Sequence, residues 1–405
     1  MNTHVGAIAE HEVGSDPGRS VLSLSGNPGT AHCLACFSVG GVSVQLASRC
    51  PRDVVLIPTL EPFRVESCVP DINIQVKWVA RLSPPSGREL FDSGAVWRLH
   101  EGEAGFQFDF SAPILGVQPY KRLLVDAGFR QATLQMNEQS FAGVSCEAGP
   151  LEYPLDELLI MHRLTQERAI ELHGVGIVGP DGASNLFVGH SGAGKSTTAR
   201  LWTSLHDVEI LSDDRIIVRE DLVREGLVRE DDDRRGADGL ETPCRDTGVG
   251  ELKQVLRLRD CSASRTNHSV QDDRFPLQLA QDGKAVLQLA QHNKTKQHDK
   301  AKLGRGGMRM YGTPWHGEAH FALPQSAPLQ RIFVLEHGQD NVLTRLTRSQ
   351  VVGELFARSF VPFHRHEYVD SALSFLERLA DTVPCYRYSF EPDERAVERV
   401  LAFRD

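Results

Sequence analysis

An α/β fold with an N-terminal β-rich domain is what this 405-residue chain predicts, and three observations carry that prediction. From residue 31 to residue 147, short segments alternate apolar and polar side chains, as half-buried strands do. From residue 148 to residue 405, strand-like and helix-like segments alternate, the pattern of an α/β domain. Between one such strand and one such helix lies Gly189-His-Ser-Gly-Ala-Gly-Lys-Ser196, a loop of the form G-x-x-x-x-G-K-[ST].

The elements follow in chain order. Residues 1–30 are rich in Gly, Ser and Pro and predict a loosely ordered start. Strands are expected at Val42–Leu46, Ile72–Val79 and Gly105–Phe110, with turns such as Pro84–Gly87 between them. A helix begins near Leu151, with Pro154 in its first turn and Leu155, Leu158, Leu159 and His162 on one face. Ile170–Val178 reads as a strand, Pro180-Asp-Gly182 as a turn, and Asn185–Val188 as the strand that enters the glycine-rich loop. Val208–Val218 reads as one further strand. Residues 221–307 break the pattern. They are dense in charge, hold Phe275 as their one aromatic residue, and contain two short repeats, Leu-Val-Arg-Glu and Leu-Gln-Leu-Ala-Gln. Such composition buries too little apolar surface to offset backbone entropy, so an insertion is expected there, with a docking or regulatory arm as the alternative. Order is expected again from Met308, with a strand at Arg331–Glu336, helices at Val351–Phe360 and Tyr368–Leu379, a strand at Tyr386–Phe390 and a closing helix at Asp393–Phe403.

Composition excludes several classes of partner. A net charge of −10 argues against a nucleic acid held by counterion release. No apolar run approaches the ~18 residues of a membrane span. The N-terminus lacks a basic segment followed by an apolar one, so a cytoplasmic protein is expected. Of eight cysteines, Cys33 and Cys36 form a C-x-x-C, but no second pair stands at zinc-knuckle spacing. Buried thiols are the simpler expectation, and no metal site is assigned to them.

The glycine-rich loop carries the chemistry. Glycines let successive backbone N–H groups turn onto phosphate oxygens, which a Cβ would obstruct. Gly189, Ser191, Gly192, Ala193, Gly194, Lys195, Ser196 and Thr197 would thus hold the phosphates of a nucleotide. Lys195 reaches the β- and γ-phosphates, and the Ser196 hydroxyl ligates Mg²⁺. The helix that follows favours the anion at its N-terminus. Asp213 and Asp214 lie on the next apolar strand. One carboxylate there can hold Mg²⁺, and the other can accept a proton from an attacking hydroxyl, or both can serve the metal. His173 lies on the strand before the loop strand, where the turn near Asp181-Gly182 brings it back toward the loop. A core histidine is the simpler reading of that position. In Gly312-Thr-Pro-Trp-His-Gly-Glu318, Thr313, His316 and Glu318 are candidates for contact with phosphate, metal or acceptor, and a rigid turn with Trp315 plugging the core is the alternative.

Leu172-His-Gly-Val-Gly176, the glycine-rich loop, and Leu211-Ser-Asp-Asp-Arg-Ile-Ile-Val218 stand in the order and spacing of the HPr kinase/phosphorylase family, and the chain resembles that family over residues 150–220, more weakly over 308–360. The resemblance implies a P-loop kinase domain of the HPr kinase/phosphoenolpyruvate carboxykinase type, with ATP and Mg²⁺ as cofactors. It further implies that His173 assists a carboxylate, that Asp213 is the base toward a substrate hydroxyl and that Asp214 lies on the metal side, with Lys195 catalytic. Thr197 stands where the bifunctional enzymes carry Glu. The 311–318 segment looks like that of HPr-kinase-related proteins found beside peptide-modification genes, which points away from HPr as the substrate. The expected activity is phosphorylation of a hydroxyl, serine by preference, on a peptide, a small protein or a small molecule. A nucleotide-gated binding protein and an NTP hydrolase are the alternatives, and association into a homo-oligomer stays open.

Overall fold

Alternation at period two turns one face of each N-terminal strand inward, and the result is a nine-stranded mixed sheet. A computed structural model of the chain describes residues 33–94, 96–116, 118–142, 149–221 and 307–404. The sequence-predicted loose start and nearly all of the charged segment, with its repeats, lie outside the described residues, as do Cys146, Cys244 and Cys261. The strands are β1 (Cys33–Val39), β2 (Val42–Ser48), β3 (Arg64–Val65), β4 (Ile72–Val79), β5 (Arg88–Asp92), β6 (Trp97–Gly102), β7 (Gly105–Phe110), β8 (Lys121–Asp126) and β9 (Gln131–Asn137). Their spatial order is β3-β1-β2-β4-β9-β8-β7-β6-β5. The pairs β2/β4 and β4/β9 are parallel; the others are antiparallel. In β4, Ile72, Ile74 and Val76 face the core while Asn73 and Gln75 stay half-exposed. Cys33 and Cys36 lie three apart on β1, so they point to opposite faces; both are free thiols, and Cys36 is buried.

A one-turn helix, α1 (Glu138–Phe141), closes this sheet, and α2 (Leu155–Leu164) follows. Every residue of α2 is buried. Pro154 stands just before its first residue, at the N-cap rather than inside the first turn. Leu155, Leu158, Leu159, Ile160, Met161 and Leu164 join Phe106, Phe108 and Leu134 in one core. The helix therefore lies beyond the expected domain boundary at residue 147 yet packs into the first sheet.

The second sheet is built around β10 (Ala169–Val178). Its further strands are β11 (Ser184–Val188), β12 (Glu209–Ser212), β13 (Arg215–Glu220), β14 (Met308–Tyr311), β15 (Ser326–Pro328), β16 (Arg331–His337), β17 (Val342–Arg345), β18 (Ser359–Phe360) and β19 (Cys385–Phe390). Four helices accompany them: α3 (Lys195–Trp202), α4 (Arg348–Phe356), α5 (His366–Thr382) and α6 (Glu394–Leu401). The main path is β15-β14-β13-β10-β11-β16-β19-β17, with β12 and β18 also paired to β10. Strands β11, β16 and β19 run parallel, so their C-terminal ends share one edge. The helix expected at Val351–Phe360 starts earlier, because Thr347 and Gln350 form a capping box, and it ends at Phe356 so that Ser359–Phe360 can pair with Glu171–Leu172.

Two features position the site. The single strand expected over Val208–Val218 is two strands, broken at Asp213-Asp214. β10 causes the break: its N-terminal half pairs with β13 and β18, its C-terminal half with β12 and β11, with a register irregularity at Gly176/Ile177. Four strands therefore end beside His173-Gly174, at the middle of β10. The second feature is the β13/β14 pair, in which Glu220 lies opposite Met308 and the Asp221 N–H donates to the Gly307 carbonyl at 2.8 Å. The chain leaves and re-enters the sheet at adjacent points on either side of residues 222–306.

Candidate functional site

Every segment that ends beside the middle of β10 contributes to the site. The His173 N–H donates to the Arg358 carbonyl (2.8 Å), and the Gly174 N–H to the Asp214 carbonyl (3.0 Å). The Gly189 N–H donates to the His173 carbonyl at 3.3 Å. The glycine-rich loop thus leaves the C-terminal edge of the parallel strands, where open α/β sheets place their ligand crevice.

The loop's backbone needs its glycines. Gly192 and Gly194 have φ of 78° and 97°, in the left-handed region that other residues rarely adopt. A Cβ on Gly194 would also stand 2.6 Å from the Phe390 ring. Ser191 and Gly192 are exposed, Ala193, Gly194, Ser196 and Thr197 are half-buried, and Gly189 is buried. Lys195 opens α3 and is 7% exposed. Its ammonium donates to the Gly189 (3.2 Å) and His190 (3.0 Å) carbonyls, so the cation lies across the mouth of the loop. On the outer side His337 Nε2 meets the Gly192 carbonyl at 2.6 Å and stacks on Phe390.

The two aspartates form the bend between β12 and β13 and have separate partners. Asp213, expected as the base, is 1% exposed. Its Oδ1 accepts the N–H groups of Gly317 (3.0 Å) and Phe321 (3.2 Å), and its Oδ2 that of Ala319 (2.8 Å). It ties down the 317–321 loop, and Gly317 allows the close approach, since a Cβ there would lie 3.0 Å from Oδ2. The carboxylate beside His173 is Asp214 and not Asp213: His173 Nε2 lies 2.8 Å from Asp214 Oδ1. Asp214 Oδ2 accepts from Arg215 Nη1. Burial pushes the Asp214 carboxyl up, but Arg215, His173 and Lys195 together outweigh burial and hold it at about 2. Burial lowers His173 below the usual histidine range, with the Asp214 hydrogen bond opposing and Lys195 adding to the shift. The pair at neutral pH is therefore a neutral imidazole and a carboxylate, with the ring proton on Nε2 facing Asp214.

The 312–321 segment is more structural than its composition suggested. Thr313, a candidate for phosphate contact, is fully buried, and its hydroxyl donates to the Arg215 carbonyl at 2.7 Å. Trp315 sits in the core shared with the first sheet and donates Nε1–H to Asp156 Oδ2 (2.9 Å). His316 is half-buried, with Nδ1 3.1 Å from His320 Nδ1. Glu318 is exposed, with Arg200 4.0 Å away. Of the three candidates, His316 and Glu318 remain open to solvent and Thr313 does not.

Several residues at the site carry no clear signal in the sequence. Arg358, 7% exposed, donates through Nη1 to Glu354 and keeps a buried Nε without a partner. Burial, and after it the charge of Arg358, lower the imidazole of His190 in the loop, so this guanidinium borders the loop mouth. Arg215 and its acidic neighbours are also new. Arginine following Asp-Asp was the one local hint.

ATP and Mg²⁺ fit this site. The loop takes a backbone that only glycine at 192 and 194 adopts readily, Lys195 supplies a cation at its mouth, and Asp214 is a charged carboxylate beside it. Among the described residues no group of three or more His, Cys, Asp and Glu side chains forms a metal cage. Mg²⁺ in nucleotide sites usually takes one or two protein oxygens plus phosphates and water, so Ser196 and Asp214 are the side chains here that could hold it. Among the described residues no helix is long and apolar enough to cross a membrane. No protein-family model matches the chain, and no curated protein matches it.

Proposed function

We propose that this protein is an ATP- and Mg²⁺-dependent phosphotransferase, an HPr-kinase-like P-loop enzyme that phosphorylates a hydroxyl group, serine by preference, on a peptide, small protein or small molecule. One observation carries the reading: a glycine-dependent loop with a lysine across its mouth stands next to a hydrogen-bonded histidine–carboxylate pair. A phosphate loop alone serves binding or hydrolysis equally well; the adjacent pair supplies a group that can take a proton.

The loop N–H groups and Lys195 bind and orient the phosphates. Ser196 and Asp214 would hold the metal, which when bound neutralises charge on the phosphate oxygens. Asp214, held at about 2, is suited to attract a cation and poorly suited to accept a proton at pH 7. His173 is neutral and oriented by Asp214, so its ring nitrogen is the better acceptor for the proton of an attacking hydroxyl. This assigns the base to the His173–Asp214 pair and leaves Asp213 as the anchor of the 317–321 loop.

The test is incubation with γ-labelled ATP, Mg²⁺ and serine-containing peptides, with Lys195→Ala as the control. Label on a peptide, lost in the variant, is the expected result. Free phosphate with no labelled acceptor would make the protein a hydrolase. ATP binding without turnover would make it a nucleotide-gated binding protein. Equal ATP affinity and turnover in Lys195→Ala would overturn the reading.

A further inference from the structure

Behind the reactive pair lies a buried charge cluster that neither the loop nor the pair explains. Arg215 is 4% exposed and its guanidinium lies 4.0 Å from the Phe360 ring centroid. It stands opposite His173 in the β10/β13 register. Three carboxyls surround it. Asp214 takes Nη1; Glu157, from the first turn of α2, accepts from Nε at 2.8 Å; Glu171 lies 3.6 Å from the same Nε. Glu171 is wholly buried, and among the described residues Arg215 is the only cation it faces within ion-pair distance. Burial, and then the neighbouring Glu157, hold the Glu171 carboxyl well above the usual range.

One guanidinium cannot neutralise three carboxylates, two of them buried. With the proton on Glu171, Arg215 bridges two anions through different edges, Glu157 behind and Asp214 in front. That bridge fixes where Asp214 points. A buried arginine with only Asp214 as partner would be free to pivot and draw the carboxylate away from His173.

We propose that Glu157 and Glu171 are positioning residues: together they brace Arg215 from behind, and Arg215 holds Asp214 in the orientation that faces His173. The kinetic consequence rests on the phosphotransferase reading; the structural one does not. The two carboxyls share one role. If Glu157 is neutralised, Glu171 can ionise in its place, still next to Nε. Either single amide variant is therefore expected to be mild, and the double variant severe, so the effects do not add.

The test compares the full-length parent with Glu157→Gln, Glu171→Gln and the double variant. The first readout needs no activity: the Nε2–H proton resonance of His173 in the nucleotide-free protein, assigned by its loss in His173→Gln. It is expected in the parent and both single variants and lost or shifted in the double variant. The second readout is turnover. The double variant is expected to lose about tenfold to a hundredfold in kcat, as small displacements of reacting groups do, with the affinity for a fluorescent ATP analogue in the absence of Mg²⁺ kept. If the double variant does not fold, Arg215→Lys replaces it, because an ammonium keeps the charge but cannot bridge two carboxylates in a fixed plane. An unchanged His173 resonance in the double variant or in Arg215→Lys would overturn the proposal. So would a kcat loss already complete in one single variant, or one that only parallels lost nucleotide affinity. A parent without turnover would sink the phosphotransferase reading and leave the resonance test intact.

Discussion

Asp213→Asn separates an anchoring carboxylate from a catalytic one. In the parent, two charged oxygens hold three backbone N–H groups at 2.8–3.2 Å. The asparagine amide keeps one acceptor oxygen, which can serve Gly317 and Phe321 together. Its NH₂ then faces the Ala319 N–H, donor against donor. The substitution loses one charge-assisted bond, weakens two others and leaves the part-buried Ala319 N–H unpaired. At about 1.5–3 kcal/mol for a bond to a charged group, the local loss is about 2–4 kcal/mol. Asp213 is 1% exposed, so solvent screening reduces this little. The loss falls on the 317–321 loop, so hydrogen exchange is the assay. The Gly317, Ala319 and Phe321 amides are expected to exchange roughly 30- to several-hundred-fold faster, at a tenfold change per 1.4 kcal/mol. Urea unfolding should show a smaller drop, because the loop can open without the sheet. Unchanged exchange at all three amides would refute the anchoring argument. If phosphoryl transfer were lost at the same time, Asp213 would be acting on the chemistry, as the family resemblance first implied.

Three further outcomes follow from burial and topology. Burial pushes the carboxyl of Asp156 from 3.8 to about 6. The stability this group gives is fully present below about pH 4 and lost as the pH rises through about 6, an amount of about 3 kcal/mol. Asp156→Asn, whose oxygen can still accept from Trp315, should therefore be more stable than the parent at pH 7.5 and not at pH 4, as urea titrations at the two pH values would show; an equal gain at both would refute it. His162 works in the opposite sense. Burial depresses it to about 3, so its contribution is present above about 6.5 and lost on acidification, and His162→Phe should flatten the acid limb of stability against pH. Replacing residues 222–306 by a short Gly/Asn turn between Asp221 and Gly307 should leave the fold and nucleotide binding intact. It should add about 1–3 kcal/mol from the shorter loop closure. An insoluble product, or one without nucleotide affinity, would show that the segment belongs to the core.

What could be read from the sequence was local. The glycine-rich loop was legible because its chemistry is encoded in consecutive residues: Gly192 and Gly194 are required by the backbone itself. The inward residues of β2 and β4 were legible because period two survives without tertiary context. The roles of Asp213 and Asp214 were not. These two residues sit in the bend where the strand breaks, and which of them meets His173 depends on where β10 exchanges partners. Arg215 was invisible as a hub because Glu157 comes from a helix and Glu171 from another strand. Thr313 looked available in a motif of reactive residue types, yet its hydroxyl is taken by the Arg215 carbonyl.

α2 gives the molecule a thermodynamic property that neither sheet has alone. Its apolar face belongs to the core of the first sheet, while its first turn presents Asp156 to Trp315 and Glu157 to Arg215. Melting the first sheet would release this helix and with it two tethers of the second sheet, one to Arg215 on β13 and one to Trp315 in the 312–321 segment. By mass action, a molecule that binds only the assembled loop stabilises whatever must be folded for the loop to exist. Occupancy at the glycine-rich loop should therefore raise the unfolding temperature of strands on the far sheet, so that calorimetry sees both sheets move as one transition.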